Sequence, residues 1–246
     1  MAAARHGAAV DMIGCLGDDE FGTKLRQQLQ AAGVNLDHLV IVPQGSGMSV
    51  ALVDDTGDYA AVVVSGANRA LDETKFRAAA EPLARCRVLL LQHEIGDAAN
   101  EAAARLARAA GATVVLNAAP AKPLAAGLDG LVDILVVNAI EADMLGGGPV
   151  TDLPSAVAAA RRLLTLAPTV IVTAGAHGVA AAAGSETLRL PAHPVAHAQT
   201  HGAGDVFVGV LAARLAESLP LAGSLHHANA AAARHVGTGL DPSGRP

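Results

Sequence analysis

Four apolar runs of strand length, "RVLLLQ" (87–92), "TVVLN" (113–117), "VDILVVN" (132–138) and "TVIVTAG" (169–175), alternate with segments of helical rhythm. "DAANEAAARLARAAG" follows the first run, a short helix the second and "AIEADML" the third, while "LPSAVAAARRLLTLA" leads into the fourth. Runs this continuously apolar read as strands buried on both faces, and helical crossovers between them bring the strands parallel. The alternation therefore predicts an α/β fold, a mostly parallel sheet with helices on both faces.

The flanks are less regular. "AAVDMIG" (8–14) reads as a strand, and 18–33 as a helix capped by Asp18 or Asp19 and stopped at Gly33. Residues 48–66 give two strands around a polar turn at 54–58, a hairpin appended to the main sheet. "VAAAAG" and "TLRLPA" suggest a second hairpin, and Ala-rich helices over about 202–217 and 221–235 close the pattern.

A chain of 246 residues that is 52% hydrophobic can bury roughly 70–75% of the surface its unfolded form exposes. One domain over 1–246 is expected, with a core of Ala, Val and Leu, because Trp is absent and Phe and Tyr together number four. A net charge of −6 without any Lys/Arg cluster argues against nucleic-acid binding. The first residues lack the apolar core of a signal peptide, and no stretch is long and clean enough to span a bilayer. A cytoplasmic protein with no membrane partner is expected, and Cys15 and Cys86 read as buried, reduced thiols.

Ligands of parallel sheets bind at the carboxyl ends of the strands. That rule selects Gln92–Glu94, Asn117, Asn138–Glu141 and Thr173–Gly178, all places where an apolar run gives way to polar residues or glycine.

A different signal stands at 199–215, "QTHGAGDVFVGVLAARL". Gly202, Ala203 and Gly204 are a poor helix start by propensity, but their bare N–H groups at the positive end of a helix suit an anion. Asp205 then lies in the first turn, beside whatever anion is held. Close packing with an ordinary first-turn acid is one reading. A dinucleotide fingerprint is weaker, because that motif needs a preceding strand and further β-α units. A Walker loop is excluded for want of GxxxxGK[ST]. In the third reading, phosphoryl transfer, the N–H groups hold developing charge and Asp205 takes the proton of the attacking hydroxyl. With three lysines in the chain and none near the turn, the phosphate charge falls to backbone, dipole and a metal ion. "NAIEAD" puts Asn138 and Glu141 on one face at a helix start, where the carboxylate can hold Mg²⁺ through water or serve only as a helix cap. "TAGAHG", with Gly175 and Gly178, suits close approach of a nucleotide or a plain hairpin turn.

With these pieces in order, the sequence resembles the ribokinase-like (PfkB) family of carbohydrate kinases. "GCLGDDEFG", "SGANRAL", "LLLQHEIG", "LNAAPA", "VVNAIEADML", "VTAGAHG", "GAGDVFVGVLA" and "ANAAAA" follow in the family's order at similar spacing. "GAN" and "LNAAPA" lean toward the ribokinase branch. The resemblance implies ATP-dependent transfer to a sugar hydroxyl, ribose or a similar carbohydrate. Asp205 would be the base, and Gly202, Ala203 and Gly204 the anion hole. Asn138 and Glu141 would serve Mg²⁺ and the phosphates, with Glu141 the metal residue. Thr173, Gly175 and Gly178 would line the nucleotide site, Asn229 would lie near adenine and Glu94 would contact the sugar. A partial β-lid over about 48–66 and a homodimer formed through it are also implied.

Two departures qualify these expectations. In the family a strand with a sugar-holding Asp, lid strands and a Gly-Gly loop precede an "AAARLGA"-like helix end; here "AAARHGA" starts at residue 2, so most of the family's sugar site is expected to be missing from this sequence. Gln199, Thr200 and His201 replace the family's Asp-Thr-Thr, so the resemblance does not carry a monovalent-cation site. The alternatives are a truncated or degenerate, inactive protein that binds nucleotide, and a kinase for a nucleoside or other alcohol. His193, His197 and His201 recur every four residues, but Pro191 and Pro194 oppose the helix that would gather them around a metal.

Overall fold

The computed structural model describes residues 1–53, 59–195 and 202–237. Helix α1 (Ala2–Arg5) precedes strand β1 (Gly14–Gly17), helix α2 (Glu20–Ala31) and strand β2 (Leu39–Val42). β1 and β2 pair in parallel, Gly14 opposite Leu39. Most of "AAVDMIG" is not strand: the ladder begins only at Gly14, with a single bridge between Asp11 and Asn35 before it. β2 had no counterpart in the sequence reading, because "LVIV" is four residues long and carries no alternation.

Asp19, not Asp18, caps α2. Its carboxylate accepts from Gly22 N at 2.7 Å and from Ser46 N and the Ser46 hydroxyl, each at 2.7 Å. These bonds, that from Ser46 N foremost, hold the Asp19 carboxyl below its ordinary pKa. Strands β3 (Met48–Val53) and β4 (Tyr59–Val64) then form the expected antiparallel hairpin, Met48 opposite Val64. The turn at 54–58 lies outside the described residues. Val62, Val63 and Val64 are exposed.

After helices α3 (Glu73–Ala78) and α4 (Ala80–Arg85) the chain builds a six-stranded sheet. Strand β5 (Val88–Gln92), helix α5 (Asp97–Ala109), strand β6 (Thr113–Asn117), strand β7 (Ile134–Asn138), helices α6 (Ala139–Met144) and α7 (Leu153–Arg162) and strand β8 (Thr169–Thr173) come first. Strands β9 (Gly178–Ala183) and β10 (Glu186–Pro191) form the second hairpin. Spatial order follows chain order, β5 through β10; β5 to β8 are parallel and the last two antiparallel. The segment after β6 holds only a single helical turn, at Ala126–Leu128.

The two-residue period of the strands sorts their side chains between the sheet's faces. Val114, Leu116, Leu135, Val137, Val170 and Val172 join the Ala103, Ala104, Ala107, Ala156, Ala159 and Ala160 side chains of α5 and α7. Val115, Ile134, Val136, Ile171 and Ala181 meet the other layer, helices α8 (Ala203–Ala216) and α9 (Leu221–Gly237). Alanine dominates the helical side of the first interface, so those helices pack close to the sheet without large side chains. α8 is buried through the run Phe207–Ala213, which explains its lack of an amphipathic pattern. α1 lies across α8: Arg214 donates to His6 O at 2.7 Å.

Cys15 is buried and Cys86 half-buried, its thiol donating to Leu83 O at 3.3 Å; desolvation raises both thiol pKa values. Among the described residues no helix is long and apolar enough to cross a membrane.

Candidate active site

The carboxyl ends of β6, β7 and β8 open onto a cavity of about 220 Å³ that is closed from below by the start of α8. Asn117, Asn138, Glu141, Thr173, Gly202, Gly204 and Asp205 line it, with Phe207 and Val208 as its apolar floor. Residues far apart in the chain, from Asn117 to Val208, thus converge where the topology of a parallel sheet places a ligand. Ala119, Val136 and Val137 complete the wall.

Gly202 caps α8 with φ 76° and ψ −1°, a left-handed conformation that disfavours any side chain. Among the described residues no side chain caps this helix, so N–H groups of its first turn stay available to an anion. The first intrahelical bond runs from Val206 N to Gly202 O at 3.0 Å. Gly204 is different. Its φ lies in the ordinary range, and a Cβ built there would meet no atom of the described residues within 4 Å. The fold itself does not require glycine at 204; the room it leaves belongs to the cavity. Asp205 is exposed in that first turn.

Asn138 and Glu141 form a reciprocal capping box at the start of α6. Asn138 Oδ1 accepts from Glu141 N and Glu141 Oε2 accepts from Asn138 N, both at 2.8 Å. The cap reading of "NAIEAD" is therefore satisfied, and both residues still face the cavity. Glu141 is only 8% exposed. Burial pushes its carboxyl above the ordinary glutamate pKa, and the Asn138 N–H holds it part of the way back. Among the described residues no three His, Cys, Asp or Glu side chains gather into a metal cluster. A buried carboxylate whose hydrogen bond engages Oε2 alone does fit Mg²⁺, which keeps several waters and takes few protein ligands.

Thr173 borders the cavity with its hydroxyl 3.4 Å from Val137 O. Gly175 and Gly178 stand outside the cavity lining. Gly175 occupies an exposed turn with φ 54°. Gly178, at φ 113°, is fixed by packing, because a Cβ there would lie 2.1 Å from Leu190 O. Asn229 also lies away from the lining and donates to Pro191 O at 2.9 Å, tying α9 to the end of β10. Glu94 follows β5 in an exposed turn. Partial burial raises its carboxyl pKa, and the negative charge of Asp205 adds to the rise, so the two acids share one electrostatic neighbourhood. Gln199, Thr200, His197 and His201 lie outside the described residues; His193, His226 and His227 are exposed. Asn117, Phe207 and Val208 are lining residues that sequence reasoning did not single out as site residues, although strand-end position had marked Asn117.

A mostly parallel sheet flanked by helices, with this helix start at its carboxyl edge, defines a ribokinase-like α/β fold. The pattern of the "pfkB family carbohydrate kinase" matches residues 1–241. The chain belongs to that family and is by family an ATP-dependent carbohydrate kinase. It is 34% identical to the ribokinase of Haemophilus influenzae over 238 residues, covering 96% of this chain and 78% of that protein. The ribokinase of Bacillus subtilis is 33% identical over 236 residues, with the same coverage. The structure of Arabidopsis thaliana ribokinase complexed with ribose and ATP superposes with a TM-score of 0.85 at 27% identity, covering 94% of this chain and 77% of that one.

Proposed function

We propose that this chain transfers the γ-phosphoryl group of ATP to a hydroxyl of ribose or a closely similar sugar, with Mg²⁺. The observation that carries the reading is the unblocked start of α8, with Asp205 beside it at the carboxyl edge of the sheet. Likeness to ribokinases, one of them complexed with ribose and ATP, supports the choice of sugar.

In this reading the acceptor hydroxyl stands between Glu94 and Asp205. Asp205 accepts its proton as the oxygen bonds to the γ-phosphorus, and the bond from that phosphorus to the bridging oxygen of ADP breaks. The backbone N–H groups of Ala203, Gly204 and Asp205, with the dipole of α8, face the charge on the transferred group. Left-handed Gly202 aims that turn, and bare Gly204 lets the phosphoryl approach it. Glu141 and Asn138 would hold Mg²⁺ through water, and the ion would neutralise phosphate charge when bound. Thr173 and the Gly175–Gly178 turn would border the nucleotide, with Asn229 behind the adenine end. Gly178 and Asn229 would act there by holding the wall in place, given their packing and hydrogen bond.

The β3–β4 hairpin would be a lid belonging to one domain with the sheet, and its exposed valines would suit pairing with a second copy. The test is transfer of label from γ-labelled ATP to a panel of ribose, deoxyribose, fructose and adenosine. Labelled ribose phosphate as the main product supports the reading. Labelled nucleotide from adenosine contradicts the sugar, and folded protein that labels none of the four contradicts the activity.

A further inference from the structure

At the carboxyl end of β5 the chain buries two polar side chains that neither the core nor the cavity lining accounts for. His93 is 5% exposed and Asn100, in α5, is 0% exposed. Asn100 Nδ2 donates to Gln92 O at 2.8 Å, which leaves Oδ1 buried with no partner among the described residues. His93 Nδ1 lies 3.1 Å from Pro120 O. A carbonyl only accepts, so Nδ1 carries the proton and Nε2 is bare, buried and without a partner among the described residues. Burial lowers the pKa of this ring and favours its neutral form, in the presence of the nearby charges of Lys122 and Asp97. Buried polar atoms without partners cost stability, and an apolar side chain of similar size at 93 would avoid that cost.

What these side chains achieve is geometric. The residue after His93 is Glu94, and the backbone before it is held from both sides. From α5, Asn100 grips Gln92 O. Across the sheet, His93 N donates to Ala119 O at 3.0 Å and the His93 ring reaches Pro120 O. An ion pair from Lys122 Nζ to Asp97 Oδ1, at 2.5 Å, crosses the same gap. The turn between β5 and α5 is thereby stitched to the segment after β6, where Asn117 and Ala119 line the cavity.

We propose that His93 and Asn100 are positioning residues that fix the Glu94 turn against the Asn117–Ala119 wall and so set where the Glu94 carboxylate meets the acceptor. This rests on the reading of Glu94 as the contact to the sugar. Neither residue touches reacting atoms, so their loss moves acceptor binding and leaves phosphoryl transfer largely intact.

The experiment compares wild type with His93→Leu, His93→Asn, Asn100→Ala and Glu94→Ala by hydrogen exchange of residues 92–97 and by steady-state kinetics with ribose and ATP. Opening of the turn in His93→Leu should speed its exchange about tenfold, and the ribose KM should rise about tenfold with kcat and the ATP KM within about twofold of wild type. Asn100→Ala should act in the same direction. His93→Asn, whose amide nitrogen can stand where Nδ1 stood, should recover most of both effects. Unchanged exchange in His93→Leu overturns the brace whatever the activity does. Faster exchange with an unchanged ribose KM overturns the positioning role, provided Glu94→Ala raises that KM. An unchanged ribose KM in Glu94→Ala itself removes the sugar reading of Glu94, and the exchange data then judge the brace alone.

Discussion

Gly202 and Gly204 stand two residues apart and are glycines for different reasons, which makes them separable by substitution. At Gly202 the left-handed backbone decides, so Gly202→Ala should cost about 1–2 kcal/mol of stability. At Gly204 none of the described residues opposes a methyl group. Gly204→Ala should melt at or slightly above the wild-type temperature while losing most of its kinase activity, because the methyl would occupy the space left for the phosphoryl group. Thermal unfolding and initial rates on the same two preparations check this. A Gly204→Ala protein of full activity would mean that the helix start is not where the phosphoryl group sits.

Glu141 offers a second residue-scale test, through pH. Its folded pKa lies above the ordinary value, so the folded state binds the proton more tightly than the unfolded chain does. Ionising Glu141 therefore costs stability, and that cost grows as pH rises from the ordinary glutamate range through the raised value. Glu141→Gln keeps an oxygen able to accept from Asn138 N, so the capping box can persist. The variant should gain stability relative to wild type as pH rises across that window and should need more Mg²⁺ for activity. Denaturant unfolding at several pH values reads the first effect and a Mg²⁺ titration of rate reads the second. A stability difference that shrinks with rising pH would contradict the burial argument.

At the scale of elements, α8 is both the floor of the cavity and the inner helix of one sheet face. Leu211, fully buried between α8 and the sheet, is not itself one of the residues that line the cavity. Leu211→Ala should destabilise the protein by about 2–5 kcal/mol and leave the KM values near wild type where the protein stays folded, as denaturant unfolding and kinetics will show. A rise in KM without loss of stability would instead tie the α8 packing directly to ligand binding. The strand and helix alternation from 87 to 175 was legible because those strands are covered on both faces and their runs are unbroken. β1 and β2 were not, since four-residue strands such as "LVIV" show no period. The one-turn stretch after β6 was over-read as a helix, although "PAKPLAAG" holds two prolines that argue against one. The Asp19 cap was narrowed to two residues by sequence, but its bonds to Ser46 join segments 27 residues apart and left no local mark.

For the whole molecule, the sheet rule selects the carboxyl ends of the strands from sequence alone, and four of the residues it marks line one cavity: Asn117, Asn138, Glu141 and Thr173. The glycine-rich turn joins them from a helix that begins 30 residues after β8 ends, a meeting that only the three-dimensional path of the chain creates. Gly175, Gly178 and Asn229 were legible as a turn and a helix position, whereas Leu190 and Pro191, the actual neighbours of Gly178 and Asn229, depend on the β9–β10 hairpin folding back. The central claim is that this assembled edge performs phosphoryl transfer with Asp205 as the base. Its most direct test is the rate of ribose-dependent ADP formation by Asp205→Asn beside wild type, at saturating ATP and Mg²⁺, with ATP binding measured on both. The account predicts a fall in kcat of about 10²–10⁴-fold with ATP affinity preserved. A variant that turns over ribose within a few-fold of wild type would contradict it.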